Sequence, residues 1–154
     1  MSENVNIREY TVSDENPLIE ILKLNIPQYF AKSEVEDLKE YLENKIEMYF
    51  IAEIDNQIVG GGGINFEIEI KTAKISWDFL NPLFQGKGIG EKLLKYRLEI
   101  IKTIEKIENI QVRTSQLAYK FYEKNGFVLK EIIPDYWAKG FDLYDMRYEN
   151  KSSL

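Results

Sequence analysis

Residues 84–90 read Phe-Gln-Gly-Lys-Gly-Ile-Gly, so Gly86, Gly88 and Gly90 stand directly ahead of EKLLKYRLEIIKTIEK, the longest helical pattern in the chain. No other segment constrains the fold as much. Glycine adopts backbone conformations that other residues avoid, and it lets the main chain approach a ligand closely. The first turn of a helix presents amides with no partner inside the helix, and the helix dipole adds positive potential there. A glycine turn opening a helix therefore suits an anion, above all a phosphate. The helix that follows carries Leu93, Leu94, Leu98, Ile101 and Ile104 on a broad apolar face, with Lys92, Lys95, Glu99, Lys102 and Lys106 outward.

Spacing decides which phosphate loop this is. A nucleotide-triphosphate loop needs G-x-x-x-x-G-K-[ST], but the position five after Gly86 is Glu91 and no GK[ST] follows. A dinucleotide fingerprint needs G-x-G-x-x-G. Counting from Gly86 ends on Glu91 and counting from Gly88 ends on Leu93. That fingerprint also belongs to a first strand–helix unit, whereas this loop follows several strand-like runs. What fits is Q-x-x-G-x-G, from Gln85, Gly88 and Gly90.

The rest of the chain predicts an α/β arrangement in one domain over 1–154. VNIREYT alternates as a first strand. NPLIEILKLN and SEVEDLKEYLENK read as amphipathic helices, the second with Ser33 and Glu36 in capping-box spacing. MYFIAEI and QIVGGGGINFEIEI read as strands joined by a tight turn at Asp55-Asn56. The run Gly60–Gly63 fits a bulge or close packing inside a strand, or else a bare patch beside a ligand. AKISWDFLN is a further strand before the glycine loop. After the long helix come a strand at NIQVRTS, a short helix at LAYKFYEKN ending at Gly126, and strands at FVLKEII and FDLYDMRYE.

Composition removes several chemistries. The chain has no Cys, hence no disulfide, thiol nucleophile or thiolate metal site, and no His, hence no imidazole-based triad and almost no transition-metal site. Proton transfer falls to Asp, Glu, Tyr, Lys or water. A net charge of −6 speaks against a nucleic-acid surface. No basic-then-apolar leader and no membrane-length apolar run are present, so the expected setting is cytoplasmic, with no membrane partner.

At Gln85, Gly88 and Gly90 the sequence resembles the GNAT acetyltransferase superfamily, whose signature is [Q/R]-x-x-G-x-[G/A] between the fourth strand and a long helix. SQLAYKFYEKNGF resembles that family's N-x-x-A-x-x-x-Y-x-x-x-G-F through Ala118, Tyr122, Gly126 and Phe127, with Ser115 in place of the usual Asn. Asp142, Tyr144 and Met146 resemble its closing hairpin. The likeness spans residues 48 to 148.

The resemblance implies a mixed, mostly antiparallel sheet of about seven strands flanked by about four helices, with the fourth and fifth strands splayed. It implies acetyl-CoA as co-substrate, no metal, and transfer of an acetyl group to a primary amine of a small molecule or peptide by direct attack. Family members are often dimers, so a homodimer is left open. Gln85, Gly86, Lys87, Gly88, Ile89 and Gly90 would hold the pyrophosphate, Leu80 would offer backbone groups to the pantetheine and thioester, and Ser115 would hydrogen-bond the pantetheine or a nearby backbone group. Tyr122 stands at the position of the proton donor to the departing thiolate, or packs on the cofactor. The signature marks no base. Asp78 is the best local candidate, since alternation sets it on the face of Leu80 with Trp77 opposite; it can equally pair with a nearby Lys, Arg or Tyr. Glu67, Glu69, Asp142 or water are further options. The acceptor pocket would draw on Tyr29, Phe30, Tyr136 and Trp137, with Asp135 as an acidic neighbour. The alternative function is a catalytically silent acyl-CoA-binding module with a regulatory role.

Overall fold

The computed structural model describes residues 4–149. Strands and helices follow in the predicted order: β1 (Val5–Glu9), α1 (Glu15–Lys23), α2 (Glu34–Glu40), β2 (Met48–Ile54), β3 (Gln57–Glu67) and β4 (Thr72–Leu80). Then come α3 (Ile89–Lys102), β5 (Asn109–Thr114), α4 (Tyr119–Lys124), β6 (Phe127–Ala138) and β7 (Phe141–Tyr148). All strands join one seven-stranded sheet in the order β1-β2-β3-β4-β5-β7-β6. Neighbours are antiparallel except β4 and β5, which are parallel. Among the described residues no helix is long and apolar enough to cross a membrane.

Two helical layers cover the sheet. Leu93, Leu94 and Leu98 of α3 and Tyr122 of α4 pack with Phe50, Ile64, Ile75, Val112 and Met146. Leu18 and Leu22 of α1, with Leu38 of α2, pack with Tyr49, Ile51 and Phe79. The alternation of Tyr49, Phe50 and Ile51 between these clusters is the pleat of β2 feeding both layers. Asp55 and Asn56 both take left-handed backbone (φ 50° and 64°), as a two-residue hairpin turn requires.

The capping box expected at Ser33 does not form; Ser33 is itself helical and its side chain makes no cap bond. Instead Glu34 reaches back to accept from the Ala31 amide at 2.7 Å, so the first turn is closed two residues earlier. A capping box does form at Thr11 and Asp14, ahead of α1. Asp14 is buried and accepts two bonds from the Arg8 guanidinium, each 2.9 Å. That fork, with the Thr11 amide, holds the Asp14 carboxyl below the ordinary carboxylate range. Its stabilising contribution is complete above the unfolded value of about 3.9 and disappears as pH falls through the lower folded value. Asp14→Asn is therefore expected to flatten the loss of thermal stability below about pH 4, measured as Tm against pH.

Two irregularities matter for function. β4 pairs with β5 only from Thr72↔Asn109 to Ile75↔Val112. Beyond that, β4 stays with β3 while β5 continues with β7 to Thr114↔Tyr144, so the sheet opens between them. The second is a bulge. Gly61 pairs with Phe79 and Gly63 with Ser76, leaving Gly62 opposite both Trp77 and Asp78. Trp77 takes φ 46°, a left-handed conformation costing a bulky residue about 1–2 kcal/mol. Tyr49 steadies it by donating to the Trp77 carbonyl at 2.8 Å.

The bulge explains the glycine run. A Cβ on Gly62 would lie 2.6 Å from both the Arg97 guanidinium carbon and Asp78 Oδ1, and one on Gly61 would lie 2.6 Å from the Tyr49 ring. None of the four glycines lines the large cavity described below. Close packing, rather than a bare ligand patch, is what they provide.

Candidate active site

The gap between β4 and β5 opens into a cavity of about 1070 Å³. One wall is the glycine loop. Asn81 caps the turn after β4 by accepting from the Leu83 amide at 3.0 Å. Gly86 and Gly88 then take φ 76° and 83°, and open space surrounds the position where each would carry a Cβ. Gly88 is the N-cap of α3 and has no side chain with which to satisfy the first-turn amides. Those amides stay available to an anion. Gln85, Gly86, Gly88 and Gly90 line the cavity. Ile89 turns its side chain into the core with Ala52 and Val59, anchoring the helix start. Lys87 lies over the Phe84 ring at 5.6 Å and is not among the lining residues.

Leu80 also lines the cavity. The next residue, Asn81, donates its amide to Val59, and alternate residues of an antiparallel strand bond to the same neighbour. The Leu80 backbone groups therefore face the gap. Its carbonyl accepts from Asn25 Nδ2 at 2.9 Å, and Asn25 gives its other proton to the Ile21 carbonyl at 3.0 Å. Asn25 is 1% exposed and ties the end of α1 to the gap. Sequence reading passed over it, because an Asn after a helix reads as a helix stop. Ser115 lines the cavity, and its hydroxyl accepts from the Leu117 amide at 3.2 Å.

Asp78, Tyr122 and Arg97 form the polar centre. Past the bulge, alternation holds: Asp78 points toward α3 and α4, while Trp77 packs among the α1–α2 residues. Tyr122 donates its phenol proton to Asp78 Oδ2 at 2.8 Å. Arg97 Nη2 donates to Oδ1 at 2.6 Å, and the same guanidinium donates to the Gly63 and Leu93 carbonyls, each at 3.1 Å. Burial first, and the Asp78 charge second, push the Tyr122 phenol well above its ordinary value. Arg97 is fully buried. The helical reading assigned it to neither face of α3, although position 97 lies four after Leu93 and three after Leu94. An arginine inside an apolar stripe was the available signal.

Of the aromatic residues expected around the acceptor, Tyr29, Phe30 and Trp137 line the cavity. Phe30 stacks on Trp77 at 6.3 Å. Tyr136 does not join them. It lies outside the lining, 46% exposed, with its hydroxyl accepting from Arg113 at 2.7 Å and its ring beneath that guanidinium. Both rings lie against the Arg113 guanidinium and meet edge to face at 4.9 Å, and in this irregularly paired stretch of β6 only Trp137 reaches the cavity lining. Asp135 is also elsewhere: its carboxylate accepts from Gly140 and its amide donates to Asp142, closing the hairpin. Glu67 pairs with Lys74, and neither Glu67 nor Glu69 lines the cavity. Besides Asp78 and Glu91, the acidic lining comes from α2, through Glu34, Asp37 and Glu40. Burial pushes the Glu34 carboxyl up against the opposing Ala31 bond.

The Acetyltransferase (GNAT) domain family model matches residues 12–150. An N-alpha-acetyltransferase of Sulfurisphaera tokodaii is 28% identical over 166 residues, covering 91% of this chain and 90% of its own. The structure of PaiA N-acetyltransferase from Thermoplasma acidophilum in complex with coenzyme A superposes with a TM-score of 0.71 at 20% identity, covering 96% of this chain and 99% of that one. An aminoglycoside 6'-N-acetyltransferase complexed with coenzyme A gives a TM-score of 0.71 at 16% identity over 92% and 95% of the two chains. With the parted strands, the glycine-opened helix and the family match over most of its length, this chain belongs to the GNAT acetyltransferases and is an acetyl-transferring enzyme.

Proposed function

We propose that the protein transfers the acetyl group of acetyl-CoA to a primary amine of a small molecule or peptide, by direct attack of the amine on the thioester in a ternary complex. The observation that carries this reading is the Tyr122–Asp78 hydrogen bond, set in the wall of the cavity that opens between β4 and β5. Two proton-carrying groups meet there, where the thioester would lie. The first-turn amides of α3 and the left-handed Gly86 and Gly88 fit a pyrophosphate, and the solved relatives that carry coenzyme A support that donor. The Leu80 amide, facing the gap, is suited to the thioester oxygen, where charge develops during attack. With no Cys in the chain, no acetyl-cysteine intermediate forms and the amine attacks directly. Asp37 and Glu40 share the lining with Lys45 and Lys74, and Tyr29, Phe30 and Trp137 offer ring faces that an amine can approach.

Free-thiol release from acetyl-CoA is the direct test, with a short peptide bearing a free N-terminus, an amino acid, a polyamine and an aminoglycoside as acceptors. Release with at least one is expected. Acetyl-CoA binding without release across the panel would instead favour a silent acyl-CoA binder. Gly88→Val tests the loop separately. A β-branched residue at φ 83° costs about 1–2 kcal/mol. Calorimetry should show the acetyl-CoA Kd raised about tenfold, and less for Gly88→Asn, which tolerates that conformation.

A further inference from the structure

We propose that Arg97 is a positioning residue that fixes Asp78 so that Asp78 and Tyr122 carry protons as one pair, rather than serving as an independent base and acid. The inference rests on the acetyl-transfer reading above. Arg97 comes from α3, remote from the glycine loop, and its three nitrogens are spent on Leu93, Gly63 and Asp78. Such a buried ion pair is a weak source of stability, since apolar side chains of similar size commonly do as well. What the fork supplies is geometry. It takes Oδ1 and leaves Oδ2 aimed at the phenol. Gly62 and the bulge at Trp77–Asp78 make the room, because any side chain at position 62 would collide with both Arg97 and Asp78.

This arrangement sets the direction of proton movement. The Tyr122 proton already lies toward Asp78, so the phenol oxygen turns its lone pairs to the rest of its surroundings, and Tyr122 lines the cavity. If Tyr122 gave its proton to sulfur unaided, a phenolate would be left 2.8 Å from the Asp78 carboxylate in a buried site. Two like charges at that separation are strongly disfavoured. The balanced sequence avoids them. The amine attacks in its neutral form, its ammonium proton already released to water. As the C–N bond forms, the nitrogen passes a proton to the Tyr122 oxygen while the Tyr122 proton moves to Asp78 Oδ2. As the C–S bond breaks, Tyr122 gives a proton to the sulfur and recovers one from Asp78. One proton has travelled from nitrogen to sulfur, and both side chains return to their starting states.

The test uses acetyl-CoA with the fastest acceptor of the panel above. Asp78→Asn and Tyr122→Phe are each expected to lower kcat by about 10²-fold or more, with the acetyl-CoA Kd within about threefold of the parent. The double variant should be no slower than Tyr122→Phe alone, as for residues acting as a unit. Losses that multiply would overturn the pair. A second readout needs no acceptor: 13Cζ-tyrosine NMR, with Tyr122→Phe assigning the resonance. Both Asp78→Asn and Arg97→Lys should shift that resonance, because lysine keeps the charge but not the fork. An unmoved resonance in folded Arg97→Lys would overturn the positioning role. If Tyr122→Phe turns over normally, the proton role of Tyr122 falls first and this inference falls with it. If Tyr122→Phe is slow and Asp78→Asn is not, only this inference falls.

Discussion

Tyr122→Phe should leave a folded protein that binds acetyl-CoA normally and acetylates amines about 10²–10⁴-fold more slowly. Phenylalanine keeps the ring contacts to Phe121 and Phe127, at 5.0 and 5.6 Å, so packing changes little. The variant removes only the hydroxyl, and with it the bond to Asp78. Asp78 retains Arg97, so no carboxylate is left unpaired. The loss should therefore appear in kcat, with KM for acetyl-CoA nearly constant, because the missing group is needed only once protons move. Stopped-flow thiol release and equilibrium binding, measured on the same preparation, separate the two. Unchanged kcat would remove Tyr122 from the chemistry.

Arg97→Leu should be the most destabilising single change at the site. It leaves Asp78 with its Tyr122 bond but no compensating charge, and breaking a buried pair this way costs about 3–5 kcal/mol. The Asp78 side chain keeps 13% exposure toward the cavity, so the lower part of that range applies. For a chain of this size, about 3 kcal/mol corresponds to a fall in Tm of about 6–12 °C. Adding Asp78→Leu should recover much of that loss, since no charge then remains buried without a partner. A double variant as unstable as Arg97→Leu alone would mean that the guanidinium matters through its bonds to Gly63 and Leu93, and not through the ion pair.

Local chemistry made much of the fold legible. Asp55-Asn56 announced a hairpin because few residues accept left-handed backbone twice in succession. The glycines of the loop and the apolar face of α3 marked where the glycine turn opening α3 sits. What escaped was set by residues meeting from distant parts of the chain. Asp78 takes the pairing with an Arg and a Tyr that its sequence setting left open. That the partners are Arg97 and Tyr122 is decided across the helix–sheet interface, and Asn25 finds Leu80 at the end of another element. None of these partners can be inferred from neighbours in sequence. The Ser33 capping box failed because a carboxylate two residues closer to the turn, Glu34 on Ala31, reached an amide first. Tyr136 and Trp137 do sit together against Arg113, yet only Trp137 reaches the cavity, because β6 is irregularly paired there and no local pattern announces that break.

The parting of β4 and β5 has a further consequence. Because the cavity is lined from both helical layers, the sheet behaves as a partition with a doorway, and on the proposed reading the donor and the acceptor meet in it from opposite rooms. The donor side is built on α3 and α4. The acceptor side is built largely on α2 and the α1–α2 connection, which share no catalytic side chain with the donor side. With Asn25 kept in place on Leu80, segments 26–33 and 34–40 can on that reading be redesigned to admit a different amine while the hold on the acyl donor persists. Selectivity and acyl-group supply become separately adjustable parts of one small enzyme.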